Sequence, residues 1–168
     1  MLRMTKQADY GIVLLSRMAG LYPAGGRTLA RFTAPELAVD THLPLPMVSK
    51  ILKILGRGGL LISHRGAKGG YSLAVPPSQI TVARMIEALD GPIAFTDCSD
   101  DGSPGLCSQE ARCAVRNNWR RINLAVRDAL EAITLAELAT PSGESPLVQL
   151  SGRLFPIAGG GQQQVVEA

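Results

Sequence analysis

The chain has 168 residues, an apolar fraction of 46% and a formal net charge of +3, which suits one domain of ordinary size, or a small domain with an arm, around a real core. Aromatic residues make up only 4%, so the core must be aliphatic, and a single-strand binder built on base stacking is disfavoured. No apolar run approaches membrane-spanning length, and Asp9 and Arg17 bracket the first apolar run too tightly for a signal peptide. A cytoplasmic protein with no membrane association and mostly reduced thiols is the expectation.

Residues 5 to 19, TKQADYGIVLLSRMA, predict a first helix with Thr5 as its N-cap. Ile12, Leu15 and Ala19 form its inner face, with Ala8 and Val13 nearby. After the breaker YPAGG, Thr33 and Glu36 frame a capping box with a proline inside it, so a short second helix starts there and stops near THLP. Pro46 opens a third helix, PMVSKILKILGRG. Val48, Ile51, Leu52 and Leu55 are spaced for one buried face, and Ser49, Lys50 and Lys53 fall on the other. Gly56, Gly58 and Gly59 end it. LLISH and YSLA then predict two short strands joined by the turn RGAKGG, and Thr81 caps a fourth helix, VARMIEALDG.

From about Ser108 to Leu138 a segment without proline or glycine reads as one long helix. Val115, Trp119, Ile122, Val126, Leu130 and Ile133 recur along it at steps of three and four. One small domain has little left to cover so narrow a stripe, which points to a partner helix, most simply the same helix of a second subunit. The alternative is a helix packed back on its own domain. From Thr140 the sequence turns Gly-, Pro-, Ser- and Gln-rich and predicts a disordered tail.

Charge is segregated along the chain. Residues 1 to 95 carry eleven Lys or Arg against five acids, and between Asp40 and Glu87 there is no acid at all. That gap holds Lys50, Lys53, Arg57, Arg65, Lys68 and Arg84. Such a distribution is the electrostatic footprint of a polyanion binder. Helix, turn, helix with a basic outer face, then a basic hairpin: the expected fold is mainly α with a small β-hairpin wing, a winged helix-turn-helix DNA-binding domain plus a long dimerisation helix. Ser49, Lys50 and Lys53 would meet base edges or phosphates in the major groove, and Arg65 and Lys68 at the hairpin tip would reach the adjacent backbone or minor groove. The competing use of such a basic domain is protein contact.

All three cysteines lie within the sixteen residues CSDDGSPGLCSQEARC, spaced C-x8-C-x5-C. The close cysteine pairs of finger- or ribbon-type zinc sites are absent. A nucleophilic cysteine needs a base nearby, and the only histidines, His42 and His64, belong to the DNA-binding part. Cys98, Cys107 and Cys113 would suit an iron–sulfur cluster completed by a fourth ligand from elsewhere, but redox-active thiols or a chance grouping fit the spacing as well. No nucleophile–base pair or phosphate-binding loop points to an enzyme.

The stretches TKQADYGIVLL, LPMVSKILKILGRGGLLISHRGAKGGYSLA and ITVARMIEALDGPIAFTDC, with the cysteines after them, resemble the Rrf-type family of winged-helix regulators over about residues 1 to 138. That family includes iron–sulfur, nitric-oxide and iron-responsive regulators. The start MLRMTKQADYGIVLLSRMA is most similar to the branch that controls SUF-type iron–sulfur assembly genes. The resemblance implies a homodimer built on the long C-terminal helix, a repressor-type regulator of a pseudo-palindromic operator, and a cluster near the dimer interface, 2Fe-2S in preference to 4Fe-4S. Its ligands would be Cys98, Cys107 and Cys113. Some members use a histidine three residues beyond the last cysteine, where this chain has Arg116; others use an acid on the partner's first helix, where this chain has Asp9. Asp9 is therefore the expected fourth ligand, with Glu110 a further candidate. The organisation implied is a DNA-binding domain over 1–92, a cluster loop over 93–108, a dimerisation helix over 109–139 and a tail over 140–168. Two other readings stand beside it: a cluster-free regulator whose cysteines sense oxidants as thiols, and a cluster carrier that does not bind DNA.

Overall fold

The computed structural model describes residues 4–22, 30–66, 69–96, 107, 112–140, 148–150 and 153–155. Helix α1 (Lys6–Gly20) starts where Thr5 caps it. The Thr5 hydroxyl accepts from the Ala8 amide at 3.1 Å and donates to the Asp90 carboxylate at 2.6 Å, so one group caps this helix and ties it to the end of another. Ala8, Gly11, Leu14, Leu15, Met18 and Ala19 are buried. Val13, placed near the inner face by the sequence, is 42% exposed. The two residues from Val13 to Leu15 turn a helix by about 200°, so both cannot face the core.

Helix α2 (Ala34–Thr41) carries the full Thr33–Glu36 capping box, and helix α3 (Leu45–Arg57) has Pro46 in its first turn. Hydrogen bonds from the Thr33 backbone and hydroxyl hold the Glu36 carboxylate below its ordinary pKa. Between the helices His42 sits at φ 54°, the left-handed region that ends α2, and turns the chain within a few residues. An exposed Arg17–Asp40 ion pair at 3.0 Å spans α1 and α2. Strands β1 (Leu61–His64) and β2 (Gly70–Leu73) pair antiparallel, Leu61 opposite Leu73 and His64 opposite Gly70. Phe32 extends this wing as a third, bridge-length strand: its amide donates to the Tyr71 carbonyl at 2.9 Å and its carbonyl accepts from the Tyr71 amide at 2.8 Å. After a 3-10 turn (Pro77–Gln79), helix α4 (Val82–Asp90) is capped by Thr81.

The segment expected to be one helix over 109–139 is two. Helix α5 (Arg116–Glu131) begins later than foreseen, and helix α6 (Leu135–Ala139) follows a break at which Thr134 and Glu137 form a second capping box. The break lets α6 fold back on α1. The Val82 amide donates to the Ile133 carbonyl at 2.9 Å, the Leu135 amide donates to the Ile80 carbonyl at 2.7 Å, and Leu135 is fully buried. The core of the winged unit thus draws on residues well beyond 92. It is a single aliphatic cluster of Leu14, Leu15, Leu37, Ile51, Leu52, Leu55, Leu60, Ile80, Met85 and Leu135, among others. Each such side chain contributes about 1.5–3 kcal/mol on burial.

The expected tail over 140–168 is not structureless throughout. Strands β3 (Val148–Leu150) and β4 (Arg153–Phe155) pair antiparallel, and β3 lies beside α5. Among the described residues, no helix is long and apolar enough to cross a membrane.

Candidate functional site

Two surfaces carry the chemistry. The first is the outer face of α3. Val48, Ile51, Leu52 and Leu55 are completely buried, which fixes the rotation of the helix and leaves Lys50 and Lys53 exposed with Ser49 half-buried beside them. Neither ammonium is paired with a carboxylate among the described residues. Arg65 is exposed where β1 ends, next to Gly66 at φ 100°, and the Gly69 amide closes the tip by donating to the Gly66 carbonyl at 2.9 Å. Lys68 lies outside the described residues. Within the wing, His64 Nε2 lies 2.9 Å from the hydroxyl of fully buried Ser72, a polar contact that no spacing pattern announces. An exposed cationic helix flanked by a cationic hairpin can straddle one groove and the neighbouring phosphates of a duplex.

The second surface surrounds the N-terminal half of α5. Cys107 and Cys113 are free, half-buried thiols. The Cys113 carbonyl accepts from the Arg116 amide at 3.3 Å, so this cysteine leads directly into the first turn of α5. Cys98 and Glu110 lie outside the described residues. Asp9 is exposed on the first turn of α1. Among the described residues no three His, Cys, Asp or Glu side chains come together as a metal site within one chain. The two visible thiols are of the right chemistry for a thiophilic iron centre and are not engaged elsewhere.

The stripe along α5 behaves differently at its two ends. Val115, Trp119 and Ile122 are 50%, 39% and 47% exposed, whereas Leu130 and Ile133 pack against the core. Next to the exposed part, Asn118, Arg121, Ile122, Leu124, Ala125 and Asp128 line a groove of about 560 Å³. The one buried residue of α5 is Asn123, whose Oδ1 accepts from the Phe95 amide at 3.3 Å. Sequence reasoning passed over it. Its spacing from Val126 and Leu130, at i+3 and i+7, is the available signal that it faces inward. One turn further on, Arg127 reaches Glu87 of α4 at 3.0 Å.

Comparison with known proteins agrees with this architecture. Residues 4–141 match the family model of Rrf2, described as an iron-dependent transcriptional regulator. The chain is 30% identical over 150 residues to a Mycobacterium tuberculosis protein assigned to the helix-turn-helix type of transcriptional regulator, covering 89% of each chain. It is 29% identical to the transcriptional regulator CymR of Bacillus subtilis, over 83% of this chain and 91% of that one. It is 30% identical to the transcriptional regulator IscR of Vibrio parahaemolyticus, over 70% of this chain and 67% of that one. Among solved structures, CymR of B. subtilis, a global cysteine regulator, superposes with a TM-score of 0.62 at 29% identity, over 83% of this chain and 97% of that one. The oxidized form of Staphylococcus aureus CymR gives 0.60 at 26% identity, over 85% of this chain and all of that one.

Proposed function

The chain belongs to the Rrf2 family of transcriptional regulators, and from that membership we propose that it is a dimeric, operator-binding protein that reports iron–sulfur supply to iron–sulfur assembly genes of the SUF type. The observation that carries the DNA-reading part is the division of α3. Its apolar face is fully buried, and its opposite face presents Lys50 and Lys53, neither paired with a carboxylate among the described residues, while the wing that follows carries the exposed Arg65. That division supports a reading in which α3 enters the major groove and the hairpin meets the flanking phosphates.

The dimeric part rests on α5. A two-fold interface must be self-complementary, and the groove beside Ile122 carries both a cation, Arg121, and an anion, Asp128. Exposed Trp119, Ile122 and Leu124 supply apolar surface on the same helix. Two such monomers present two reading heads and so a pseudo-palindromic site.

Cys98, Cys107 and Cys113 would hold a cluster, 2Fe-2S in preference to 4Fe-4S, with Asp9 of the partner subunit as the fourth ligand. Bound iron–sulfur supplies a cross-link among these side chains. The residues of this chain do the rest. Cys113 lies three residues before α5 and its carbonyl accepts from the Arg116 amide, so constraint on its thiol would be constraint on the start of the helix that spaces the two reading heads, and occupancy would bias an existing equilibrium between dimer geometries. A second reading keeps the DNA binding and uses Cys107 and Cys113 as redox thiols. It is favoured by their both being free and by a relative's having been solved in an oxidized form.

Anaerobic purification, iron and sulfide analysis and gel shifts on the protein's own promoter region separate these readings. The expected result is a brown protein with about equal iron and sulfide. Cys98→Ser, Cys107→Ser and Cys113→Ser variants should lose the colour and take on the DNA affinity of the cluster-free form. A Cys107→Ser protein that binds DNA as the verified loaded wild type does would overturn the cluster reading. A colourless protein that resists reconstitution would leave the winged helix standing and favour thiol sensing.

A further inference from the structure

The segment that carries the cysteines has both its ends fixed to the same helix. At its C-terminal end, Cys113 and Val115 run into α5, with the Arg116 amide donating to the Cys113 carbonyl and the Trp119 amide to the Val115 carbonyl at 3.1 Å. At its N-terminal end, the Phe95 amide donates to the side-chain oxygen of Asn123. From Val115 to Asn123 is eight residues, or about 12 Å along a helix axis. The two anchorages are therefore about two turns apart on α5.

Asn123 is unusual in its setting. It is 7% exposed, and apart from Ser72 in the wing it is the only buried polar residue among those described. A buried carboxamide needs partners, and truncating it would leave the Phe95 amide without an acceptor. The next residue on the same row of α5, Arg127, reaches Glu87 on α4 at 3.0 Å, and Leu130 beyond it packs on the core. α5 thus meets α4 and the start of the cysteine segment through a short polar register, Asn123 and Arg127, before Leu130 joins the core.

We propose that Asn123 is a positioning residue that couples the cysteine segment to α5, so that a change at the thiols is transmitted to the helix at two points instead of one. The Phe95 contact gives a displacement at the N-terminal end of the cysteine run a route to α5 besides the one through Cys113, by way of the Asn123 hydrogen bond. Asn123 touches neither DNA nor cofactor in this role. It sets how much of the response reaches the reading heads.

This inference rests on the proposed cluster-dependent regulation, and the test keeps the two apart by scoring wild type first. Two substitutions are compared: Asn123→Leu, which keeps the volume and removes the acceptor, and Asn123→Asp, which keeps a side-chain oxygen for the Phe95 amide. In the cluster-free protein, hydrogen exchange at the Phe95 amide should be faster in Asn123→Leu than in wild type, and restored in Asn123→Asp. Iron and sulfide content should be unchanged in both. The ratio of DNA affinities between loaded and cluster-free forms, expected to be roughly tenfold or more in wild type, should fall to within about twofold in Asn123→Leu and recover in Asn123→Asp. A wild-type ratio near one overturns the underlying reading of the cysteines. A normal wild-type ratio retained by Asn123→Leu overturns the role of Asn123 alone. If Asn123→Leu does not fold, Asn123→Ser, whose shorter hydroxyl cannot reach as far, is scored by the same exchange and affinity ratio, and wild-type values of both again overturn the role.

Discussion

At the scale of single residues, the wing depends on a glycine that no other residue can replace cheaply. Gly70 sits at φ 143°, and a Cβ built on it would lie 2.7 Å from the Phe32 carbonyl oxygen and 3.1 Å from the carbonyl carbon. The obstacle is backbone, which cannot swing aside as a side-chain tip can. The same residue faces His64 across the hairpin, directly before the exposed Arg65. Gly70→Ala should therefore destabilise the protein by about 1–3 kcal/mol through φ strain and overpacking together, and loosen the pairing of Phe32 with Tyr71. Chemical denaturation would give the first quantity and amide exchange at Phe32 and Tyr71 the second. Wild-type stability with unchanged exchange would mean that the wing tolerates a wider separation than its geometry indicates. The sequence marked this glycine only as part of a permissive turn, because the close approach comes from Phe32, which lies about forty residues earlier and has no strand pattern of its own.

At the scale of elements, what was legible was what local chemistry dictates. Thr5, Thr33 and Thr81 announce the starts of α1, α2 and α4, and the four-residue apolar row of α3 fixes its buried face from spacing alone. The division of the long helical segment is legible too, in Thr134 and Glu137 at capping-box spacing, although the lack of proline and glycine there argues for continuity. The β3–β4 hairpin carries a similar signal, two short apolar stretches separated by Ser-Gly, inside a composition that otherwise suggests disorder. By the reading proposed here the pairing partner of α5 is a second chain, and what one chain shows is the exposed apolar surface of the helix. Ile122 stands at the middle of that surface, 47% exposed and beside the groove that holds Arg121 and Asp128. Ile122→Glu should leave the thermal stability of the winged unit near wild type, since the side chain contributes little to its core. It should convert the dimer to monomer at micromolar concentration, because each dimer would bury two unpaired carboxylates. Sedimentation velocity decides this: an Ile122→Glu protein that remains dimeric would place the subunit interface elsewhere.

At the scale of the whole molecule, a modest net charge conceals a large asymmetry. The acid-free stretch from Asp40 to Glu87 folds into α3 and the wing, while acids gather in the cysteine segment. The proposed DNA-reading surface could be drawn from the sequence because one amphipathic helix and one hairpin contain most of it. The cysteine site could not be, because its completion depends on residues brought together from different elements and, by the reading proposed here, from a second subunit. The asymmetry has a consequence that stability measurements would miss. Lys53 is exposed and unpaired among the described residues, so Lys53→Ala should alter neither fold nor dimer. Each dimer carries the lysine twice. If both copies neutralise phosphates, the log–log dependence of DNA affinity on salt loses about 0.9 per contact, or roughly two in all. Affinity at moderate salt should fall for operator and non-operator DNA alike, since a phosphate contact carries no sequence information. Fluorescence anisotropy across a salt series on both duplexes measures the slope and the discrimination together. A slope unchanged from wild type would remove Lys53 from the backbone contacts. A loss confined to the operator would instead make it a reader of base edges, with α3 seated deeper in the groove than a phosphate-clamping role requires.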